Sequence, residues 1–165
     1  MSTSLAPSGA RRRARERALE ILYEAECKSL TFDALLAELP IEPEPYTSRL
    51  VLGVERELGR IDDLLDRHAS GWPLERMPAV DRCLLRIACY ELLAEREVPT
   101  AVVIDEAVEL AKTYSTEGSG RYLNGVLSAV AGAVRQVPGG PSQPAVPAVP
   151  GEPAVPAEPT VHGHS

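Results

Sequence analysis

Cysteine, histidine and long apolar runs are all scarce in this chain, and each shortage removes a class of function. The three cysteines, Cys27, Cys83 and Cys89, are odd in number and lack CxxC spacing, which supports neither a disulfide framework nor a structural zinc site. They read as small buried hydrophobes. Of the three histidines only His68 falls inside the predicted folded region, while His162 and His164 sit at the very end and read as a terminus rather than a metal site. No stretch approaches the roughly 20 consecutive apolar residues that span a bilayer. The N-terminal MSTSLAPSGARRRARER lacks the apolar core of a signal peptide, so a cytoplasmic protein is expected. GxSxG, P-loop, Rossmann-glycine and HExxH motifs are missing, and the carboxylates lie among arginines on helix faces, where a solvated surface is the plainer role. The expectation is a protein that is not an enzyme and carries no cofactor and no metal.

What is present is unevenly spread. The 165 residues carry a formal charge of −7, yet residues 11–17, RRRARER, hold five Arg against one Glu. Any polyanion would be met at that end and repelled elsewhere. From residue 138 the composition changes again: prolines recur every third position up to Pro159, accounting for eight of the fifteen in the chain. That period matches the three residues per turn of polyproline II, and glycine does not recur with it, which excludes collagen. Without aromatics or long aliphatics the segment cannot offset its ordering entropy, so it reads as a disordered tail, with a ligand for a proline-recognising module as the alternative. The chain therefore divides into a flexible arm over 1–9, a folded domain over 10–137 and a Pro-rich tail over 138–165.

Between residues 10 and 137 the apolar positions follow a helical period and no segment alternates as a strand would. Ala14, Ala18, Ile21, Leu22 and Ala25 form one stripe of a first helix, with Arg13, Arg17, Glu20 and Glu24 on another face. Leu30–Leu39 reads as a short helix stopped by Pro40, Pro43 and Pro45. Tyr46, Leu50, Val54, Leu58, Ile61 and Leu65 share the stripe of a longer one, on which Gly53 and Gly59 mark close contacts or a bend. Pro73 and Pro78 bracket a connection containing the single Trp72. The segment VDRCLLRIACYELLAE is apolar almost all round and belongs at the centre of the fold, with Arg86 paired internally. Pro99 opens the next helix, and Ser119 is the expected N-cap of the last one, which turns Leu123, Val126, Leu127, Val130 and Val134 inward. The architecture expected is all-α, about seven helices in two small bundles.

Binding is what remains as a function. The cluster at the head of the first helix is made wholly of arginine, whose fork suits phosphate and base-edge contacts; its alternative is an arm that arginine merely solubilises. Arg121 and Tyr122, just after a glycine-rich turn, pair a cation with an aromatic in the way RNA loops are held, unless Tyr122 is a core-edge residue.

Four blocks, RRRARERALEILYEAE, AVDRCLLRIACYELL, VPTAVVIDEAVELAK and RYLNGVL, occur in the order and spacing of the NusB family of bacterial transcription antitermination factors, which the chain resembles over about residues 10–135. The resemblance implies two helical bundles, no enzymatic activity, and assembly with the small-subunit ribosomal protein NusE on the boxA element of nascent ribosomal RNA. It also implies other Nus factors and RNA polymerase as partners in the antitermination complex, and support for ribosome maturation. A related domain occurs fused to an RNA methyltransferase; the chain leaves no room for that domain, so the free-standing factor is expected. Carried over by position, Arg11, Arg12, Arg13, Arg15, Arg121 and Tyr122 would contact RNA, while Tyr23, Asp81, Arg82, Tyr90 and Glu91 would contact the ribosomal protein. The turn EGSGR departs from the family pattern at Gly118 and Gly120, and the Pro-rich tail lies outside it. Some relatives form homodimers, which would cover the Arg helix. The rival reading is a helical protein-interaction scaffold that touches no nucleic acid.

Overall fold

The computed structural model describes residues 8–135; the expected arm up to residue 7 and the tail with His162 and His164 lie outside the described residues. Among the described residues there are seven α-helices and no strand: α1 (Ser8–Lys28), α2 (Phe32–Glu38), α3 (Pro45–Arg56), α4 (Leu58–His68), α5 (Ala79–Ala94), α6 (Thr100–Tyr114) and α7 (Ser119–Val134), with one 3-10 turn at Leu74–Arg76. Helices α1, α2 and α3 pack as one bundle and α4 to α7 as a second, and α5 touches members of both. This is the all-helical, two-bundle architecture the periodicity predicts.

Local chemistry sets most of the helix ends. Thr31 caps α2 by accepting from the Ala34 amide, and Glu44 caps α3 by accepting from the Tyr46 amide ahead of Pro45, whose missing N–H costs nothing at a first helical position. Pro99 stands at the head of α6 as expected. Ser119 is displaced from its expected capping role: Gly118, at φ +92°, is the residue before α7, and the buried Ser119 hydroxyl bonds the Asp81 carboxylate instead. That left-handed φ is one glycine tolerates without a Cβ clash.

The stripe from Tyr46 to Leu65 is read as one helix in the sequence but is two in the structure, broken at Glu57. The stripe survives the break, because Leu50, Val54, Ile61 and Leu65 are all fully buried. Gly53 explains where α3 lies: a Cβ there would come within 2.2 Å of the Tyr90 ring, so only glycine lets α3 approach α5 this closely. Gly59 has open space around it and is no contact point.

At the centre, α5 buries ten of its sixteen residues, as expected of a helix apolar all round. Its arginines are satisfied within the fold. Arg86 makes a two-pronged pair with Asp62 and a third bond to Glu26; Arg82 pairs through both prongs with Glu26 and donates to the Leu74 and Met77 carbonyls. These bonds tie α1 and α4 to α5. Cys83 and Cys89 are buried, as expected, and burial pushes both thiols up to about 12. Cys27 corrects the cysteine reading, since it is exposed on α1: it follows the buried Ala25 by two positions, which turns it about 200° round the helix.

Candidate nucleic-acid interface

Consecutive residues on a helix point about 100° apart, so a run of arginines cannot present a single face. Helix α1 distributes its run accordingly. Arg13 is exposed. Arg12, also exposed, reaches α6 and pairs through both prongs with Glu106 at 2.9 and 3.0 Å, which raises its pKa further. Arg11 leans the other way, its guanidinium carbon 5.0 Å from the centre of the Tyr46 ring on α3. Arg15 points into the protein: it is 3% exposed and closes a two-pronged bond with the buried Glu91. A group so enclosed is out of reach of RNA, and Arg15 is corrected from an RNA contact to a structural one.

Tyr122 is corrected likewise. The ring is 1% exposed, meets Trp72 edge-on with 5.0 Å between centroids, and donates its hydroxyl to the Ala69 carbonyl. No face is open for a base to stack on, so the core alternative is the one the structure adopts. Burial, aided by the nearby Asp81 charge, pushes this phenol up to about 12. Its neighbour Arg121 is exposed and lines an open hollow with Lys112, Thr116, Asn124 and the two glycines of the turn. Arg12 is held on Glu106 of α6, whereas Arg121 lines its hollow beside Val108 and Lys112, further along the same helix.

Four of the five expected partner contacts are internal. Asp81 is fully buried and accepts from Ser119 at 2.9 Å and from Ser115, pinning the α6–α7 turn to the start of α5. Tyr90 packs on Gly53, Glu91 holds Arg15, and Arg82 is consumed by Glu26 and two carbonyls. Each is corrected from a surface contact to a packing or ion-pair role. Only Tyr23, 44% exposed on α1, is open to a partner.

Two residues that sequence reasoning left unassigned belong to this surface. Tyr46, noted only as a stripe member, donates its hydroxyl to Glu91 at 3.0 Å and lies beside Arg11; Arg49, one turn on, is 5.9 Å from the same ring and bonds Glu95 at 3.3 Å. The spacing of Tyr46 and Arg49 puts them on one side of α3, but nothing local joins them to Arg11. Among the described residues no group of three His, Cys, Asp or Glu side chains stands where it could hold a metal, and no helix is long and apolar enough to cross a membrane.

These features define a class: a two-bundle helical module built round one central helix, with exposed cations at the head of its first helix. The NusB family model matches residues 12–132. The transcription antitermination protein NusB of Saccharopolyspora erythraea is 51% identical over 131 residues, covering 75% of this chain and 88% of that protein. Among solved structures, NusB of T. maritima superposes with a TM-score of 0.67 at 38% identity, over 73% of this chain and 89% of that one. A solved complex of the antitermination factors NusB and NusE with double-stranded RNA matches with a TM-score of 0.63 at 28% identity, over 74% of this chain and 96% of that one. The chain belongs to the NusB family, a family of transcription factors.

Proposed function

We propose that this protein is a transcription antitermination factor that binds the boxA element of nascent ribosomal RNA together with the small-subunit ribosomal protein NusE, within an assembly of other Nus factors and RNA polymerase. It acts in the cytoplasm by binding alone, with no chemical step, and so supports ribosomal RNA synthesis and ribosome biogenesis. The binding unit is the domain over residues 10–137. The observation that carries the reading is the exposed guanidinium pair of Arg12 and Arg13 at the head of α1 in a chain of net charge −7. Family membership and the solved complex of a relative with NusE and RNA support it. RNA contact falls to Arg11, Arg12 and Arg13, with Arg121 as a separate contact, and Tyr23 is offered to the ribosomal protein. Phosphate contacts fix the register of the strand and base contacts select it.

The test is fluorescence anisotropy of a labelled boxA-like RNA and a scrambled RNA across a salt series, with and without the purified ribosomal protein. Tighter binding to boxA that improves with the partner is expected, and Arg12→Glu with Arg13→Glu should weaken it and flatten its salt dependence by roughly 0.7 in logarithmic slope per lost contact. Equal, weak binding to both RNAs in every condition overturns the proposal in favour of a protein-interaction scaffold.

A further inference from the structure

We propose that Arg11, Tyr46 and Arg49 form a phosphate clamp that carries single-stranded RNA from the head of α1 onto the outer face of α3. The inference rests on the RNA-binding reading above and adds a site on a different helix. Tyr46 is its frame. The hydroxyl is anchored on Glu91, itself held by the buried Arg15, so the ring is fixed from beneath. Arg11 approaches the ring to 5.0 Å and Arg49 to 5.9 Å, distances at which the negative face of an aromatic attracts a guanidinium.

Both cations are drawn to the one ring, and the Glu95 carboxylate offsets part of the like charge gathered around it. Glu95 takes one nitrogen of Arg49, at 3.3 Å. The remaining N–H groups of Arg49 project from a side chain that is 58% exposed. A guanidinium offers five donors in a planar fork and matches phosphate oxygens two at a time. Held against a ring, it has already lost much of the rotamer freedom that a free surface arginine would lose on binding.

The clamp continues along α3. Arg49, Leu52 and Arg56 follow one another at helical spacing on the exposed side of that helix, so cations recur every two turns, about 10 Å apart. Carboxylates also face this region: Glu95 is nearly buried beneath Arg49, and Glu97 lies near both Arg11 and Arg49. They neutralise part of the charge, but neither closes off the outward forks. The array therefore suits a flexible polyanion with spaced phosphates.

The experiment is RNA anisotropy across a potassium chloride series on the full chain, comparing the unaltered protein with Arg13→Ala, Arg49→Ala, Arg49→Lys and Tyr46→Phe, each checked by thermal melting. Arg49→Ala should bind severalfold more weakly and lower the logarithmic salt slope by about 0.7, one phosphate contact on a single strand. Arg49→Lys should keep the slope but bind more weakly, having the charge without the planar fork. Tyr46→Phe keeps the ring but frees it from Glu91, and should keep the salt slope while binding somewhat more weakly than the unaltered protein. If Arg13→Ala lowers the slope while Arg49→Ala leaves affinity and slope unchanged, the clamp is wrong and the RNA-binding reading stands. If the unaltered protein binds no RNA, both fall together.

Discussion

Arg15 and Glu91 meet side by side in the seam between α1 and α5, two guanidinium nitrogens on two carboxylate oxygens at 2.7 and 2.8 Å, with side chains only 4% and 1% exposed. The pair splits the N-terminal arginine run between interior and surface. One member of RRRARER locks the two bundles together, while Arg12, Arg13 and Arg17 stay exposed at the surface.

Arg15→Ala strands a carboxylate that also receives the Tyr46 hydroxyl, and breaking one side of a buried pair costs about 3 to 5 kcal/mol. Its melting temperature should fall sharply. Arg15→Met with Glu91→Leu removes both charges and should melt much closer to the unaltered protein while keeping its RNA salt slope. A double variant no more stable than the single one would contradict the pair's role; a reduced slope would return Arg15 to the RNA surface.

Tyr122 separates a core role from a stacking role in one comparison. Tyr122→Phe loses only the bond to the Ala69 carbonyl, worth about 0.5 to 1.5 kcal/mol, and should leave RNA affinity untouched. Tyr122→Ala also removes the ring packed on Trp72 and should cost about 3 to 5 kcal/mol. Urea titrations measure the stability change, and the RNA assay on Tyr122→Phe checks the rest.

How far the residues announce this structure depends on whether the determining interaction is local. The helices were legible because burial repeats every three to four residues, and the central place of α5 followed from its lack of a polar face. The break at Glu57 was not, because the stripe from Leu50 to Leu65 runs unbroken through it. The site was legible only in its charge. Arg12 and Arg13 are exposed as a cationic surface requires, whereas Arg15 and Glu91 stand 76 positions apart and Asp81 and Ser119 stand 38 apart. Pairings of that range leave no mark on local spacing, so carrying family positions over assigned to partners several residues that the fold uses for itself.

Arg135 closes the described chain by docking onto the end of α5. Its guanidinium donates to the carbonyls of Glu91, Leu92, Glu95 and Val98 and to the Thr100 hydroxyl, at 2.7 to 3.1 Å. The carbonyls at a helix C-terminus lack internal partners and carry partial negative charge, so a cation there satisfies both needs. Arg135→Ala should lower stability by about 2 to 3 kcal/mol, charged hydrogen bonds being worth roughly 1.5 to 3 kcal/mol with some replaced by water. Arg135→Lys, with three donors for five acceptors, should fall between. Amide exchange at the α5–α6 junction should quicken in the same order, and an unchanged urea midpoint in Arg135→Ala would refute the docking role.

Alkaline pH should unfold this protein earlier than its acidic composition suggests. Burial pushes the Cys83 and Cys89 thiols from an ordinary value of 9.0 to about 12, helped by the charges of Glu26 and Asp62 respectively, and pushes the Tyr122 phenol from 10.0 to about 12. The sign follows from proton counting. Above about pH 9 the unfolded chain has begun to release these protons while the native state still holds them, so the native state binds more protons and stability falls as pH rises. The contribution is fully present below the unfolded values and is lost progressively from about pH 9 to about pH 12. Urea midpoints measured at successive pH values should decline through this window. Burial also raises the Tyr46 and Tyr90 phenols, so Cys83→Ala with Cys89→Ala, which starts from a lower midpoint because of the space it leaves, should show a shallower decline without abolishing it. Parallel declines in the two proteins would place the alkaline sensitivity elsewhere than in these thiols.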